Sequence, residues 1–307
     1  MSAPVFVVTP GTAEPAGSSA RQEASAAPSP SGSQPGSGTR LVLSSLDSGD
    51  EIVLTGPEAH HAVSVRRLRE PERVDLVDGA GLRLVCTVTS AGGGARDRLG
   101  VRVVERVVEP APPVRLVLVQ ALAKGGRDEQ AVETATEVGA ETLLPWQARR
   151  CVSVWQGARR SRGQERWQAT AREAAKQARR AVVPRVEEVR STDELAQWVR
   201  ATVEAGGVVG LLHEEARAPL SALLPALAGP GAVLTASQRP VLAVIVGPEG
   251  GIEGEEVTTL EKAGAVTVRL GPHVMRTASA GPVALAVLAQ HAGLWEPAGA
   301  FPAEVAR

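Results

Sequence analysis

From residue 114 onward, short apolar runs alternate with longer stretches in which apolar positions recur every three or four residues. The runs fall at 115–120, 142–146, 185–189, 208–212, 241–246 and 266–270. The periodic stretches fall near 127–138, 163–181, 191–205, 219–227, 254–263 and 279–293. The β-branched runs predict strands buried on both faces, and the periodic stretches predict helices. Strand alternating with helix means a parallel sheet covered on both sides, so this region is expected to be a doubly wound α/β domain. Several helix ends have readable caps. Gly139 follows the helix ending near Val138, Ser191 opens Ser-Thr-Asp-Glu, and Glu255 and Glu256 favour a helix N-terminus.

Upstream of Pro110-Ala111-Pro112-Pro113, a stiff linker, the pattern is different. Arg73 to Asp78 and Leu82 to Thr89 are strand-like runs around Asp78-Gly79-Ala80-Gly81, a hairpin signal, and Val101 to Val108 completes the set. Leu82, Leu84, Cys86 and Val88 share one face of their strand, with Arg83, Thr87 and Thr89 on the other. Pro57 to Leu68 reads as a short helix with proline at its start. Residues 39–110 are thus expected to form a small β domain and 114–297 the α/β domain, with a tail at 298–307. Residues 1–38 are rich in Ala, Ser, Gly and Pro without apolar periodicity, which predicts a disordered and dispensable tail.

Composition narrows the class. Hydrophobic residues make up 43% of the chain but aromatics only 2%, with no Tyr and with Phe6 and Phe301 both in expected tails. The core should be aliphatic, with Trp146, Trp155, Trp167, Trp198 and Trp295 as its large rings. No apolar run approaches the roughly 18 residues of a membrane span, and no basic start leads into an apolar stretch as in a secretory signal. Cys86 and Cys151 stand outside any metal-spaced cluster, and His60 and His61 have no further His or Cys at ligand spacing. A reduced, cytoplasmic protein without a metal is the expectation. The net charge of −1 conceals an asymmetry: residues 145–190 hold twelve Arg or Lys against four Glu, a net of +8. A basic segment on a near-neutral protein suits an anionic polymer, or else forms a solvated helix face.

The chemistry concentrates in two strand exits. Val241 to Val246 runs into Gly247-Pro248-Glu249-Gly250-Gly251-Ile252, and Val266 to Leu270 runs into Gly271-Pro272-His273-Val274-Met275-Arg276-Thr277. Loops at the carboxyl ends of parallel strands are where open α/β sheets bind ligands, and glycines let the backbone approach closely. A third strand, Val208 to Leu212, ends at His213-Glu214. Leu211, Leu212, Val246, Ile252, Leu270, Val274 and Met275 supply apolar walls. A phosphate cradle at Gly247–Gly251 is disfavoured by Glu249, whose carboxylate repels phosphate, and no Gly-Lys-Ser/Thr element of a nucleotide triphosphatase is present.

The pair of loops resembles the signature of the SPOUT class of RNA methyltransferases, and more narrowly the RsmE family, which methylates N3 of a uridine in 16S (small-subunit) ribosomal RNA. The resemblance runs from about Leu41 to Trp295. It implies a C-terminal α/β domain with a trefoil knot, a small N-terminal PUA-like β-barrel, a homodimer, and S-adenosylmethionine as cofactor. The family's cofactor site matches Leu212, Gly247, Glu249, Leu270 and Val274 to Thr277. With the neighbouring loop and wall residues, the expected cofactor site is Leu211, Leu212, His213, Val246, Gly247, Pro248, Glu249, Gly250, Leu270, Gly271, Val274, Met275 and Thr277. Arg276 stands where the family motif has its Arg. Uridine N3 must lose a proton as it attacks, and a cation there would meet the charge developing on the uracil edge. The alternative for Arg276 is an ion pair with Glu249. The family's Arg-Thr-Glu-Thr-Ala is Arg276-Thr277-Ala278-Ser279-Ala280 in this chain, so a base at 278 does not carry over. Glu214, Glu249 and water stay open as proton acceptors. A non-catalytic RNA-binding protein, or a methyltransferase for another base, is the competing function.

The RNA-binding residues implied are His61, Arg66 and Arg69 in the small domain and Lys124 and Arg127 after the first α/β strand. Arg172, Lys176, Arg179 and Arg180 join them, since three- and four-residue steps would place all four on one helix face. Without tyrosines, phosphate and shape contacts should outweigh base stacking.

Overall fold

The computed structural model describes residues 3–9, 11–16, 43–92, 97–223 and 239–295. The chain forms two compact units, Met1–Pro110 with Arg179–Val182, and Ala111–Ala178 with Val183–Arg307.

The first unit is a six-stranded sheet around its own core. Its strands are β1 (Val5–Val7), β2 (Ala13–Pro15), β3 (Glu51–Thr55), β4 (Arg73–Val77), β5 (Leu82–Ala91) and β6 (Arg98–Val108), in the order β1-β4-β5-β6-β3-β2. Only the β1–β4 pairing is parallel. The expected alternation in β5 holds: Leu82, Leu84, Cys86 and Val88 are buried, and Arg83, Thr87 and Thr89 are not. The β4–β5 turn closes on Asp78, whose carboxylate accepts from the N–H groups of Ala80 (2.7 Å) and Leu82 (3.0 Å). Arg83 pairs with Asp75 (2.9 Å) and Glu109 (2.6 Å), and it donates to the carbonyl of Arg179 at 2.8 Å. Helix α1 (Gly56–His60) is a single turn with Pro57 near its start, followed by a wider turn at His61–Val65.

The expected disordered tail is corrected here. Residues 5–7 and 13–15 are strands of this sheet, and Phe6 is 1% exposed among Ile52, Leu54, Val74 and Leu76. The sequence concealed them because a three-residue strand shows no periodicity of its own; its partners lie some forty to seventy residues away. Residues 17–38 of that expected tail lie outside the described residues, as does the expected tail at 298–307. Phe6→Ala should destabilise this unit by about 3 kcal/mol, the cost of a cavity the size of a phenyl ring. Denaturant unfolding of the full chain measures it, and an unchanged midpoint would return residues 1–16 to the status of a tail.

The second unit is built on seven parallel strands. They are β7 (Arg115–Ala121), β8 (Thr142–Trp146), β9 (Arg185–Val186), β10 (Val208–Leu212), β11 (Ala218–Pro219), β12 (Val241–Val246) and β13 (Val266–Arg269). Their order is β11-β13-β10-β12-β7-β8-β9, every pairing parallel. All strand exits therefore lie along one edge. The helices are α2 (Arg127–Val138), α3 (Ala158–Gln177), α4 (Thr192–Glu204), α5 (Gly254–Lys262) and α6 (Thr277–His291). Helix α6 packs on α2, β7 and β12. Its approach depends on Gly281, where a Cβ would stand 2.5 Å from a Leu118 methyl and 3.1 Å from Val246.

Two expected helices differ. At 219–223 the chain forms the end of the short strand β11 and a 3-10 turn at Leu220–Leu223, and the rest of the expected helix lies in 224–238, outside the described residues. Helix α3 starts five residues earlier than expected, because Gly163 does not break it. A side chain there would collide with the indole of Trp155, which packs edge-on against Trp167 at 5.3 Å. Burial pushes the Cys86 thiol up to about 12 and Cys151 up to about 11, so both remain protonated core residues.

Candidate functional site

A cavity of about 800 Å³ opens at the edge where the parallel strands end. Its walls are the exits of β10 (Leu212–Glu215), β12 (Val246–Ile252) and β13 (Arg269–Thr277), with Ala280 of α6. Arg127 and Arg150 close it from the exits of β7 and β8. Thirteen of the fourteen residues expected to bind cofactor or catalyse line this one cavity; Leu211 does not. Leu211 is fully buried in the strand, as period-two alternation requires when its neighbour Leu212 faces the cavity.

The β12 exit loop is held from both sides. Gly251 has φ of +75°, and its N–H closes a turn on the carbonyl of Pro248 at 3.0 Å. Glu249 accepts from Arg127 at 3.0 Å and from the Lys124 N–H at 3.4 Å. Partial burial opposes ionisation of Glu249, but its own backbone N–H, Arg127 and the Lys124 N–H outweigh it and hold the carboxyl below its usual value. Arg150 donates to the carbonyl of Gly250 at 3.2 Å. Gly250 is bare because Arg150 lies against it: a Cβ would meet that residue's Cβ at 3.2 Å and carbonyl at 3.3 Å.

The β13 exit loop is tied down at its far end. The Thr277 hydroxyl donates to the carbonyl of Gly247 (2.8 Å) and accepts from the Gln120 amide (2.8 Å). Gln120 is fully buried in β7. The carbonyl of Arg276 accepts from the N–H groups of Ser279 (2.9 Å) and Ala280 (3.0 Å), so it caps α6. Its side chain is exposed on the cavity wall, and no carboxylate among the described residues pairs with it. The alternative of an Arg276–Glu249 ion pair is thereby removed, since Glu249 is taken by Arg127. Ala278 is 4% exposed and faces the interior, away from any role at the cavity.

The RNA-binding expectations are sorted differently. Arg66 and Arg69 are exposed on the first unit, whereas the ring of His61 packs edge-on against Phe6 at 5.8 Å. Arg127 is committed to Glu249, and Lys124 stands exposed beside it. The single cationic face is corrected: α3 ends at Gln177, and Arg179 turns the chain with φ of 57°, so Arg179 and Arg180 leave the helix. Lys176 has a side chain only 8% exposed and bonded to Glu173 at 3.1 Å, whereas Arg172 is half-buried on the helix. Sequence reasoning missed Arg150 and Gln120. Gln120 had a signal, being the one polar residue in the run Leu116 to Leu122.

The residues present fit a cofactor with an apolar ring and a polar tail. Leu212, Val246, Ile252, Leu270 and Met275 form an apolar wall, and loop backbone from Gly247 to Gly251 supplies hydrogen-bonding edges. Among the described residues there is no cluster of metal-ligating side chains, and no helix is long and apolar enough to cross a membrane.

Comparison with known proteins agrees with this architecture. Residues 110–289 match the RNA methyltransferase domain, and residues 54–95 match the RNA methyltransferase PUA domain. The chain is 45% identical over 252 residues to ribosomal RNA small subunit methyltransferase E of Mycobacterium bovis, spanning 81% of this chain and 90% of that one. It is 29% identical over 249 residues to the Bacillus subtilis protein of the same name, spanning 81% and 93%. Among solved structures, that of the Neisseria gonorrhoeae ribosomal RNA small subunit methyltransferase E bound to S-adenosyl methionine shares the fold. Its TM-score is 0.65 at 21% identity, over 80% of this chain and 94% of that one. With its parallel-sheet domain, its small β domain and both family matches in place, the chain belongs to the family of ribosomal RNA small subunit methyltransferase E.

Proposed function

We propose that this chain transfers a methyl group from S-adenosylmethionine to N3 of a uridine in 16S ribosomal RNA. The observation that carries the reading is one cavity: two glycine-rich strand exits wall it, and it carries Arg276, which has no carboxylate partner among the described residues. When bound, S-adenosylmethionine supplies an electrophilic methyl group. Leu212, Val246, Ile252, Leu270 and Met275 would hold its apolar parts and exclude water, while loop backbone from Gly247 to Gly251 would meet its polar edges. Arg276 would donate hydrogen bonds to the uracil oxygens as N3 gives up its proton. That proton goes to Glu214 or to water, since the Arg127 ion pair makes Glu249 a poor base.

The same reading carries three further expectations. The chain would carry a trefoil knot in its C-terminal half, where segment 270–276 joins β13 to α6, the helix that packs on β7 and β12. Val283 and Val287 lie exposed on α6, a surface for a second copy of the chain. The compartment is the cytoplasm, where ribosomal subunits are assembled. Calorimetric titration with S-adenosylmethionine and mapping of N3-methylated uridines in 16S ribosomal RNA from a deletion strain test the reading. Absence of both signals would leave a non-catalytic RNA-binding protein.

On the first unit, the exposed pair Arg66 and Arg69 would contact RNA phosphates. Replacing both by Ala should lower the salt-dependence slope of RNA binding by about one unit per lost phosphate contact, up to about two. S-adenosylmethionine affinity should stay at the wild-type value. An unchanged slope would mean that these cations face solvent only.

A further inference from the structure

Helix α5 starts directly after the β12 exit loop, and its third residue is Glu256, 1% exposed. A buried carboxylate is costly unless hydrogen bonds surround it. Glu256 has three, each from a different segment. Its Oε1 accepts from the N–H of Arg149 (3.0 Å) and from the hydroxyl of Thr192 (2.6 Å), and its Oε2 accepts from the N–H of Glu253 (3.3 Å). Thr192, at the start of α4, in turn accepts from the indole N–H of Trp146 at the end of β8 (3.2 Å). One carboxylate therefore joins the beginnings of α4 and α5 to the exit of β8. Arg149 also forms side-chain pairs with Glu253 and Glu255, but Arg149 is 55% and Glu255 80% exposed. Exposed pairs of this kind contribute little, so the buried bonds of Glu256 decide the geometry.

The consequence reaches the cavity. Fixing the Arg149 backbone places Arg150 against Gly250, and fixing the Glu253 N–H sets where the β12 exit loop ends. We infer that Glu256 is a positioning residue that holds two cavity walls, the Gly247–Ile252 loop and the Arg149–Arg150 loop, in register for cofactor binding. Only the cofactor clause rests on the function proposed above; the coupling of the two loops stands on the hydrogen bonds alone.

Hydrogen–deuterium exchange of the full chain without cofactor tests the coupling. Glu256→Ala should speed exchange at both Gly250–Ile252 and Arg149–Cys151 by about tenfold, since it orphans buried donors on both sides. Leu260→Ala, a packing change in the same helix, is the control for general loosening of α5 and should leave Arg149–Cys151 at its wild-type rate. If Glu256→Ala does not fold, Thr192→Val takes one donor from the same carboxylate and should speed exchange at both loops to a smaller degree, with Thr192→Ser restoring the wild-type rates. By calorimetry, either loosened variant should bind S-adenosylmethionine more weakly, by about tenfold for Glu256→Ala. Exchange that rises only within α5, or cofactor affinity equal to wild type, would reduce Glu256 to a helix cap and overturn the inference. A wild-type chain that binds no S-adenosylmethionine would strike down the proposed function instead, and the exchange result would still judge the coupling.

Discussion

Gly247→Val should weaken S-adenosylmethionine binding by on the order of 10³-fold, about 4 kcal/mol, in a protein that still folds. The reason is steric and does not lie in backbone freedom, since Gly247 is not among the residues of positive φ. A Cβ at Gly247 would collide with Cγ1 of Ile252 and stand 2.9 Å from its Cδ1. Ile252 is 8% exposed and is itself part of the cavity wall. It must either swing into the cofactor's space or push the loop, with its Gly247 carbonyl, off the Thr277 hydroxyl that donates to it. Overpacking of this kind costs about 1–3 kcal/mol of stability, which a sheet domain of this size survives. Calorimetry measures the affinity, and thermal unfolding checks the fold. Pairing Gly247→Ala with Ile252→Ala removes the collision and should recover most of the affinity. Wild-type affinity in Gly247→Val would take the β12 exit loop out of the cofactor site.

The strands and most helices were legible because their cause is local. Six apolar runs in the α/β region each became a strand, and Ser191 and Glu194 form the capping box that their spacing announced. The cavity was legible for a related reason. In an all-parallel sheet, every strand exit falls on one edge, so reading the exits of β10, β12 and β13 amounts to reading one site. What escaped depends on partners far along the chain. Phe6 is a core residue only because β1 pairs with β4, and nothing near residues 5–7 encodes that register. Arg150 looks like one more cation in a basic segment until β8 is placed two strands from β12. Leu211 and Leu212 are adjacent in a strand and face opposite ways; alternation separates the pair without telling which one lines the cavity, and that position falls to Leu212. The cation stripe of α3 failed at its end, because Arg179 has a positive φ and stops the helical repeat that the spacing assumed.

Arg276→Lys should lower the rate of methyl transfer by on the order of 10²–10³, roughly 2–4 kcal/mol, with both binding constants nearly unchanged. Arg276 projects from a fixed point. Its carbonyl caps α6, and the next residue, Thr277, is bolted to Gly247 and to the buried amide of Gln120. The guanidinium is exposed on the cavity wall, and no carboxylate among the described residues neutralises its charge before substrate arrives. Uracil N3 lies between O2 and O4, and the charge released on deprotonation spreads over both oxygens. A planar fork can donate two parallel hydrogen bonds to such an edge, whereas an ammonium supplies one compact charge. Lysine therefore preserves attraction to RNA and loses the arrangement needed as the negative charge develops. Single-turnover methylation of small-subunit particles, with cofactor and particle both saturating, isolates that step from binding and product release. A wild-type rate in Arg276→Lys would show that charge alone suffices at this position, and a wild-type rate in Arg276→Ala would remove Arg276 from the chemistry.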